Sequence, residues 1–313
     1  MSPELDHLLS ATTDEAAAWF AETDAVALVA AVRATPDDHL LRLFGRDEIR
    51  SVAVEGILAR LHEYALHEQV ARMRGVIRFD LERRGVVQER HGLVFDHGTL
   101  ELLAHLPADE HADVVLTTSV VRFVRIVSGE RNAGLEFLAG TLDIDGDAEL
   151  ALALGGIFRV PGTDHVAVDP RDLDPVEVAR VLGHVKGDHL KKVMRSGFRH
   201  VVLDEIFRRL PEFVNDRKAR NADVTVGFRL LGSPSGEIER YVVRVRDGAA
   251  TVSVGDDGSE RDATVTCEAH DFLRLATGHL SAVSGVLRGQ LKVKGDRSKA
   301  LQLSSVLDIP SAR

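Results

Sequence analysis

The chain is one module written twice, and this constrains it more than any other feature. Asp24 to Phe44 lies over Asp174 to Met194 at an offset of 150, and Ser51 to Leu81 lies over His200 to Leu230 at 149. Asp113 to Val160 then lies over Asp262 to Ile309 without a gap, with 14 of 48 positions identical. Shared positions include Phe123/Phe272, Arg125/Arg274, Gly129/Gly278, Gly140/Gly289 and Gly146-Asp147/Gly295-Asp296. Residues kept in both halves are expected to serve the fold. Residues that differ mark where the two jobs diverge.

At 313 residues the chain suits two domains, and each copy is long enough to bury its own core. The predicted division is 1–160, a linker at 161–173, and 174–313. The linker reading rests on PGTDHVAVDPRDL, rich in Pro, Asp and Gly. Cys267 is the single cysteine, so no internal disulfide can form, which fits a reducing compartment. The start, Met-Ser-Pro-Glu-Leu-Asp, lacks a secretory n-region and apolar core. The apolar run Ala25 to Val32 falls far short of the ~20 residues a bilayer helix needs. A cytoplasmic location is therefore expected.

The net charge of −10 is uneven. Residues 24–160 carry 15 basic and 22 acidic side chains, whereas residues 174–310 carry 22 basic and 19 acidic. Every lysine lies in the second copy. The plain explanation is a solvated surface that has drifted. The alternative is that the copies attract each other or that one faces an acidic partner. Nucleic acid is not expected, because the second copy is only mildly basic and aromatics make up 5% of the chain.

Each copy opens with helices, with Asp24 and Asp174 as N-caps and Pro175 in a first turn. In HVVLDEIFRRLPEFV the apolar residues Val202, Leu203, Ile206, Phe207, Leu210 and Phe213 share one helical face, and Pro211 kinks the helix or starts another. The twin segment presents Val54, Ile57, Leu58, Leu61 and Tyr64. The period then becomes two. DVTVGFRL, RYVVRVR and TVSV read as strands, with Asp247-Gly248 as a hairpin turn. VIRFDL, GLVF and TLELL are the first copy's strands. DATVTCE is a further strand, followed by the helix DFLRLATG closed at Gly278, as RFVRIVSG is at Gly129. A short strand at 290–294 (141–145) and a final helix at 299–306 complete the unit. The predicted class is α+β: two tandem units, each a mostly antiparallel or mixed sheet covered on one face by helices, with extra N-terminal helices.

The second copy resembles the sterol carrier protein 2 (SCP2-like) lipid-binding domain. The resemblance rests on IFRRLPEFVNDRKARNADVTVGFRL at 206–230, the Asp247-Gly248 hairpin and DATVTCEAHDFLRLATGHLSAVSGVLRGQLKVKGDRSKALQL at 262–303. The first copy matches through VLTTSVVRFVRIVSG and AGTLDIDGD. The helices at 24–50 and 174–199 lie outside the usual module. What the resemblance implies is an apolar cavity between sheet and helices that holds acyl chains, sterols or similar lipids, without metal, cofactor or catalytic group. Carried onto this chain, the wall is Phe207, Leu210, Phe213, Val226, Phe228, Leu291, Val293, Leu301, Leu303, Val306 and Leu307. In the first copy it is Leu58, Leu61, Tyr64, Ile77, Phe79, Leu142, Ile144, Leu152, Leu154, Ile157 and Phe158. The same stripes also describe a plain filled core. If one copy alone holds a guest, the second is expected to, since it matches the family more fully.

Catalytic motifs are weak. His62 and His67 stand five apart, where the zinc-protease pair needs four to share a face. Asp143-Ile-Asp145-Gly-Asp147 begins like a calcium loop but has Ala148 and Leu154 where that loop needs Gly and Glu, and the second copy has Lys292 and Lys294. These acids are expected on the solvent side of a strand, with Gly-Asp as a turn. Asp38-His39 and Asp188-His189 recur and could orient an imidazole, but a structural role is expected. Cys267 reads as a small buried hydrophobe.

The expected function is therefore non-catalytic binding or carriage of a lipid or other apolar small molecule. Burial supplies the affinity, about 0.8 kcal/mol per CH2 group. Transient membrane contact accompanies that reading, and a monomer whose copies form an internal pseudo-dimer is expected. One alternative is a protein-interaction scaffold with filled cores. Another is an enzyme on a hydrophobic substrate working through the Asp-His pair.

Overall fold

The computed structural model describes residues 5–163, 166 and 173–310, and the chain divides into two compact units, Met1–Asp169 and Pro170–Arg313. Most of the expected linker, at 164, 165 and 167–172, lies outside the described residues. The first unit runs α1 Thr13–Glu22, α2 Ala25–Ala34, α3 Asp37–Leu43, α4 Asp47–Ala59, α5 His67–Val70, β1 Arg74–Arg83, β2 Val86–Asp96, β3 Thr99–Leu103, β4 Val114–Ser119, α6 Val120–Val127, α7 Ala133–Ala139, β5 Leu142–Gly146 and α8 Ala148–Ile157. The second runs α9 Pro175–Leu182, α10 Gly187–Val193, α11 Arg199–Arg209, α12 Asp216–Ala219, β6 Asp223–Leu231, β7 Glu239–Arg246, β8 Ala249–Val254, β9 Ala263–Glu268, α13 Ala269–Ala276, α14 Ala282–Leu287, β10 Leu291–Gly295 and α15 Arg297–Val306.

Each unit holds a five-stranded sheet, ordered β3-β2-β1-β4-β5 and β8-β7-β6-β9-β10. The central pairs β1/β4 and β6/β9 are parallel and the remaining neighbours antiparallel, so both sheets are mixed. The period-two pattern sorts side chains onto two faces. Val224, Val226, Phe228 and Leu230 pair across with Val245, Val243 and Tyr241 on one side and with Ala263, Val265 and Cys267 on the other. All of these are buried and form an apolar inner face. In the first unit Ile77, Phe79, Leu81, Leu93, Val114 and Leu116 do the same. Helices cover this face. Phe207 of α11 meets Phe228 and Tyr241, Phe123 of α6 meets Phe79, and a Cβ on Gly75 would strike Leu150 of α8.

The local signals act as their chemistry dictates. Asp24 accepts from the amides of Val26 and Ala27, and Asp174 from that of Val176, so both cap their helices. Asp247 and Gly248 both take positive φ, 52° and 83°, as a type I′ hairpin requires. The shared Gly-Asp step is a turn: Asp147 and Asp296 accept two amides each at the starts of α8 and α15. Pro211 sits in the first turn of a short 3-10 segment, Leu210–Phe213, whose twin is Leu61–Tyr64. Both segments end on an antiparallel bridge to the residue after the last helix, Ala65 to Phe158 and Val214 to Leu307.

Several boundaries differ from the sequence reading. The last strands begin and end one residue later, and the last helix of the second unit starts at Arg297. Helices α7 and α14 were not anticipated, because six or seven residues with Gly inside give little periodic signal. The extra N-terminal helices belong to the body of the first unit. Helix α1 packs on α4, and Arg125 of α6 donates to Asp37, Val32 O and Thr35 O, tying α2 and α3 down.

Candidate inner-face site

The inner face is where the sequence places a guest, and most of the expected wall residues lie there. In the second unit Phe207, Leu210, Val226, Phe228, Leu291, Leu303 and Val306 are buried, while Phe213, Val293 and Leu307 are half-buried. Leu301 is exposed, at 40%. In the first unit Leu58, Ile77, Phe79, Leu142, Leu154, Ile157 and Phe158 are buried, and Leu61, Tyr64, Ile144 and Leu152 are half-buried.

The two inner faces are filled differently. In the second unit Phe207 lies between two rings, its centroid 3.8 Å from that of Tyr241 and 4.8 Å from that of Phe272. Phe228 meets Phe207 and Phe272 edge-on, so four rings form one block. Strand register and the repeat offset place Leu58, Phe79, His91 and Phe123 at the matching positions of the first unit. Phe79 and Phe123 keep the edge-on contact at 5.6 Å. Leu58 and His91 are smaller than the Phe207 and Tyr241 they match.

Polar groups follow the same division. Arg50 of α4 is 4% exposed and Glu89 of β2 is 6% exposed. Arg50 Nε donates to Glu89 Oε1 at 2.9 Å, and Arg50 Nη1 donates to Asp47 Oδ1 and to Phe44 O. Arg199 and Glu239 repeat the pair with two bonds of 2.6 Å. Burial pushes the Glu89 carboxyl up, but His91 and Arg50 beside it outweigh this and hold it below the usual carboxylate range. His91 is fully buried on the same face, two residues along β2. Its Nε2 is 3.5 Å from Glu89 Oε2, an electrostatic contact short of a hydrogen bond, and neither ring nitrogen has a hydrogen-bond partner. Tyr241 at the matching position donates its hydroxyl to Asp204 at 2.8 Å. Burial first, then Asp204, raise the Tyr241 hydroxyl. The Asp204 match, Glu55, turns instead to His105 at 3.0 Å.

Arg50, Glu89 and His91 escaped the sequence reading. An arginine in a helix and a glutamate in a strand carry no local mark of burial, and their partnership spans 39 positions. The signal that could have found the ion pair is repetition: Arg50/Arg199 and Glu89/Glu239 recur in both copies, whereas His91 is matched by Tyr241.

The weaker motifs resolve into structure. His39 Nε2 lies 2.7 Å from Asp6, not against its neighbour Asp38, which faces Arg42. Asp188 pairs with Lys191. His62 and His67 fall in separate short helices. Cys267 is buried on the inner face, which pushes its thiol up to about 12, Asp271 and Glu268 adding to the effect. An open groove of about 370 Å3 is lined by Glu63, Tyr64, Leu66, Arg159, Val160 and Gly162, with no strand residue in its wall. No helix among the described residues is long and apolar enough to cross a membrane.

A mixed five-stranded sheet with helices over one apolar face, built twice in tandem, defines the class. The SCP-2 sterol transfer family model matches residues 54–159 and 203–308, and the chain belongs to that family. The chain is 26% identical over 111 residues to hydroxysteroid dehydrogenase-like protein 2 of Xenopus tropicalis, covering 36% of this chain and 26% of that protein. It is 29% identical over 112 residues to sterol carrier protein 2 of Gallus gallus, covering 36% of this chain and 20% of that protein. The chain thus spans about a quarter or less of the length of these relatives. Among solved structures it is similar to the apo form of sterol carrier protein 2 from Yarrowia lipolytica, at 21% identity and a TM-score of 0.30 over 39% of this chain and 99% of that one.

Proposed function

We propose that the protein binds a lipid or comparable apolar molecule between the inner sheet face and the helices, and that the first unit is the holder. Family membership supports lipid binding as the class of activity. The observation that favours the first unit is the exchange of Phe207 and Tyr241 for Leu58 and His91. The fuller family resemblance of the second unit points the other way, but packing decides whether a guest fits, and the second unit's inner face carries a stacked aromatic block. Desolvation of the chain supplies affinity. A hydroxyl or carboxyl head gives a ring nitrogen of His91 the hydrogen bond that both otherwise lack. No catalytic step is part of this reading.

Native mass spectrometry of freshly purified protein, followed by organic extraction, should recover bound lipid. The full chain should also take up a fluorescent fatty acid. Leu58→Phe with His91→Tyr, which installs the second unit's rings, should weaken uptake by about tenfold or more through overpacking. Absence of extractable lipid together with no uptake would end the binding proposal. Uptake unchanged in the double variant would remove the first unit as holder.

A further inference from the structure

We infer that His91 selects the guest of the first unit by its head: the site takes an alcohol, one hydroxyl on an apolar body, in preference to a carboxylate. This rests on the reading of the first unit as the holder. Register sets His91, Phe79, Leu116 and Ile144 in one row across β2, β1, β4 and β5 of the inner face. His91 is the polar end of that row. The second unit's row is Tyr241, Phe228, Val265 and Val293. There the polar end is answered within the protein, since Tyr241 donates its hydroxyl to Asp204 at 2.8 Å. In the first unit the hydroxyl is missing and an imidazole stands in its place. An apolar row with a small polar end matches a molecule of the same pattern.

The neighbours of His91 decide which head fits. The ring is fully buried, and neither nitrogen has a hydrogen-bond partner among the described residues. A buried polar group in that state costs free energy until a partner answers it. Glu89 Oε2 lies 3.5 Å from Nε2, and Oε1 of the same carboxylate is taken by Arg50. The His105 ring lies 5.7 Å away between centroids, and its own Nε2 turns to Glu55 at 3.0 Å. An uncharged imidazole carries one N–H, and the carboxylate assigns it to Nε2. Nδ1 is then left as an acceptor. A hydroxyl has a proton to donate to it, whereas a carboxylate has none.

Charge points the same way. Arg50 already faces two carboxylates, Glu89 and Asp47. A guest carboxylate would bring a third negative charge to that single guanidinium, in a layer where Glu89 is itself buried. An alcohol adds no charge. A fatty acid still gains from burying its chain, so it enters, but without the anchor.

The test is a fluorescence titration of the full chain with three pyrene-labelled probes of equal chain length, ending in a hydroxyl, a methyl ether or a carboxylate. The wild type should bind the alcohol roughly tenfold more tightly than the ether, which keeps the oxygen but has no proton to donate. It should also bind the alcohol more tightly than the carboxylate. In His91→Leu, apolar and of similar size, the alcohol should fall to the affinity of the ether or below it. The readout is the difference between probes, so a general loss of packing, which weakens all of them, does not imitate it. If His91→Leu misfolds, the wild-type comparison decides by itself. Alcohol and ether bound alike by the wild type, a carboxylate bound as tightly as the alcohol, or a preference that survives His91→Leu would each overturn the inference and leave guest binding standing. No uptake of any probe would remove guest binding, and this inference with it.

Discussion

Glu89→Ala should unfold the first unit more readily than any surface substitution, costing about 3–5 kcal/mol. The carboxylate is 6% exposed and faces a guanidinium that is 4% exposed, so removing it strands a positive charge in an apolar layer. Asp47, which also binds Arg50, is largely solvent-exposed and cannot replace it. Trp19, the single tryptophan, sits in α1 against α4 and next to Phe20, so its fluorescence reports the first unit selectively. Pairing Arg50→Met with Glu89→Leu should recover most of the loss, because apolar replacements of similar size avoid the desolvation cost of both charges. A double variant no more stable than Glu89→Ala would show that the pair is not the source of the effect. The pH dependence has a fixed sign. The folded-state carboxyl is held below its ordinary value, so its contribution is complete above the unfolded-state value of about 4.3 and is lost as pH falls through the folded one. The gap between wild type and Glu89→Ala should therefore narrow under acid and stay constant from about pH 5 to 8.

That pair also shows where sequence reading reaches and where it stops. Period-two alternation at 224–230 and the Asp247-Gly248 turn fixed strands, faces and one hairpin, since each is a local property of a few residues. The Gly129 and Gly278 positions after α6 and α13 take φ of 72° and 75°, the left-handed conformation that glycine adopts without strain. Family resemblance then ordered these elements into one fold. What local pattern could not supply was pairing at a distance. Arg50 reaches Glu89 across 39 positions and Arg125 reaches Asp37 across 88, and neither arginine differs in type or spacing from a solvated one. The Arg84-Gly85 hairpin between β1 and β2 was likewise missed, because an arginine at φ 54° carries no turn signature of its own. The wall residues show the same limit. Helical spacing put Phe207 and Leu58 on inner faces, but it could not say that one would be clamped between rings and the other not.

Phe207→Ala is the substitution that separates the two units' roles. The side chain is 1% exposed and touches Tyr241, Phe228 and Phe272, so its loss should cost about 3–5 kcal/mol. Calorimetry should place that loss in the second unit's transition, lowered by on the order of 10 °C, with Trp19 fluorescence of the first unit unmoved. The same deletion creates space. A void lined by Phe228, Tyr241 and Phe272 has few polar atoms to hold water, and such voids stay dry and accept apolar guests. A second equivalent of a small apolar probe should therefore bind the variant, in addition to any taken up by the first unit. Phe207→Leu, which copies Leu58, should show the same gain at a smaller stability cost. If the void collapses, the loss will fall toward the lower end of the range and no probe will enter. That outcome would mean the helices over the sheet can settle inward, and the difference between Leu58 and Phe207 would then no longer explain which unit holds a guest.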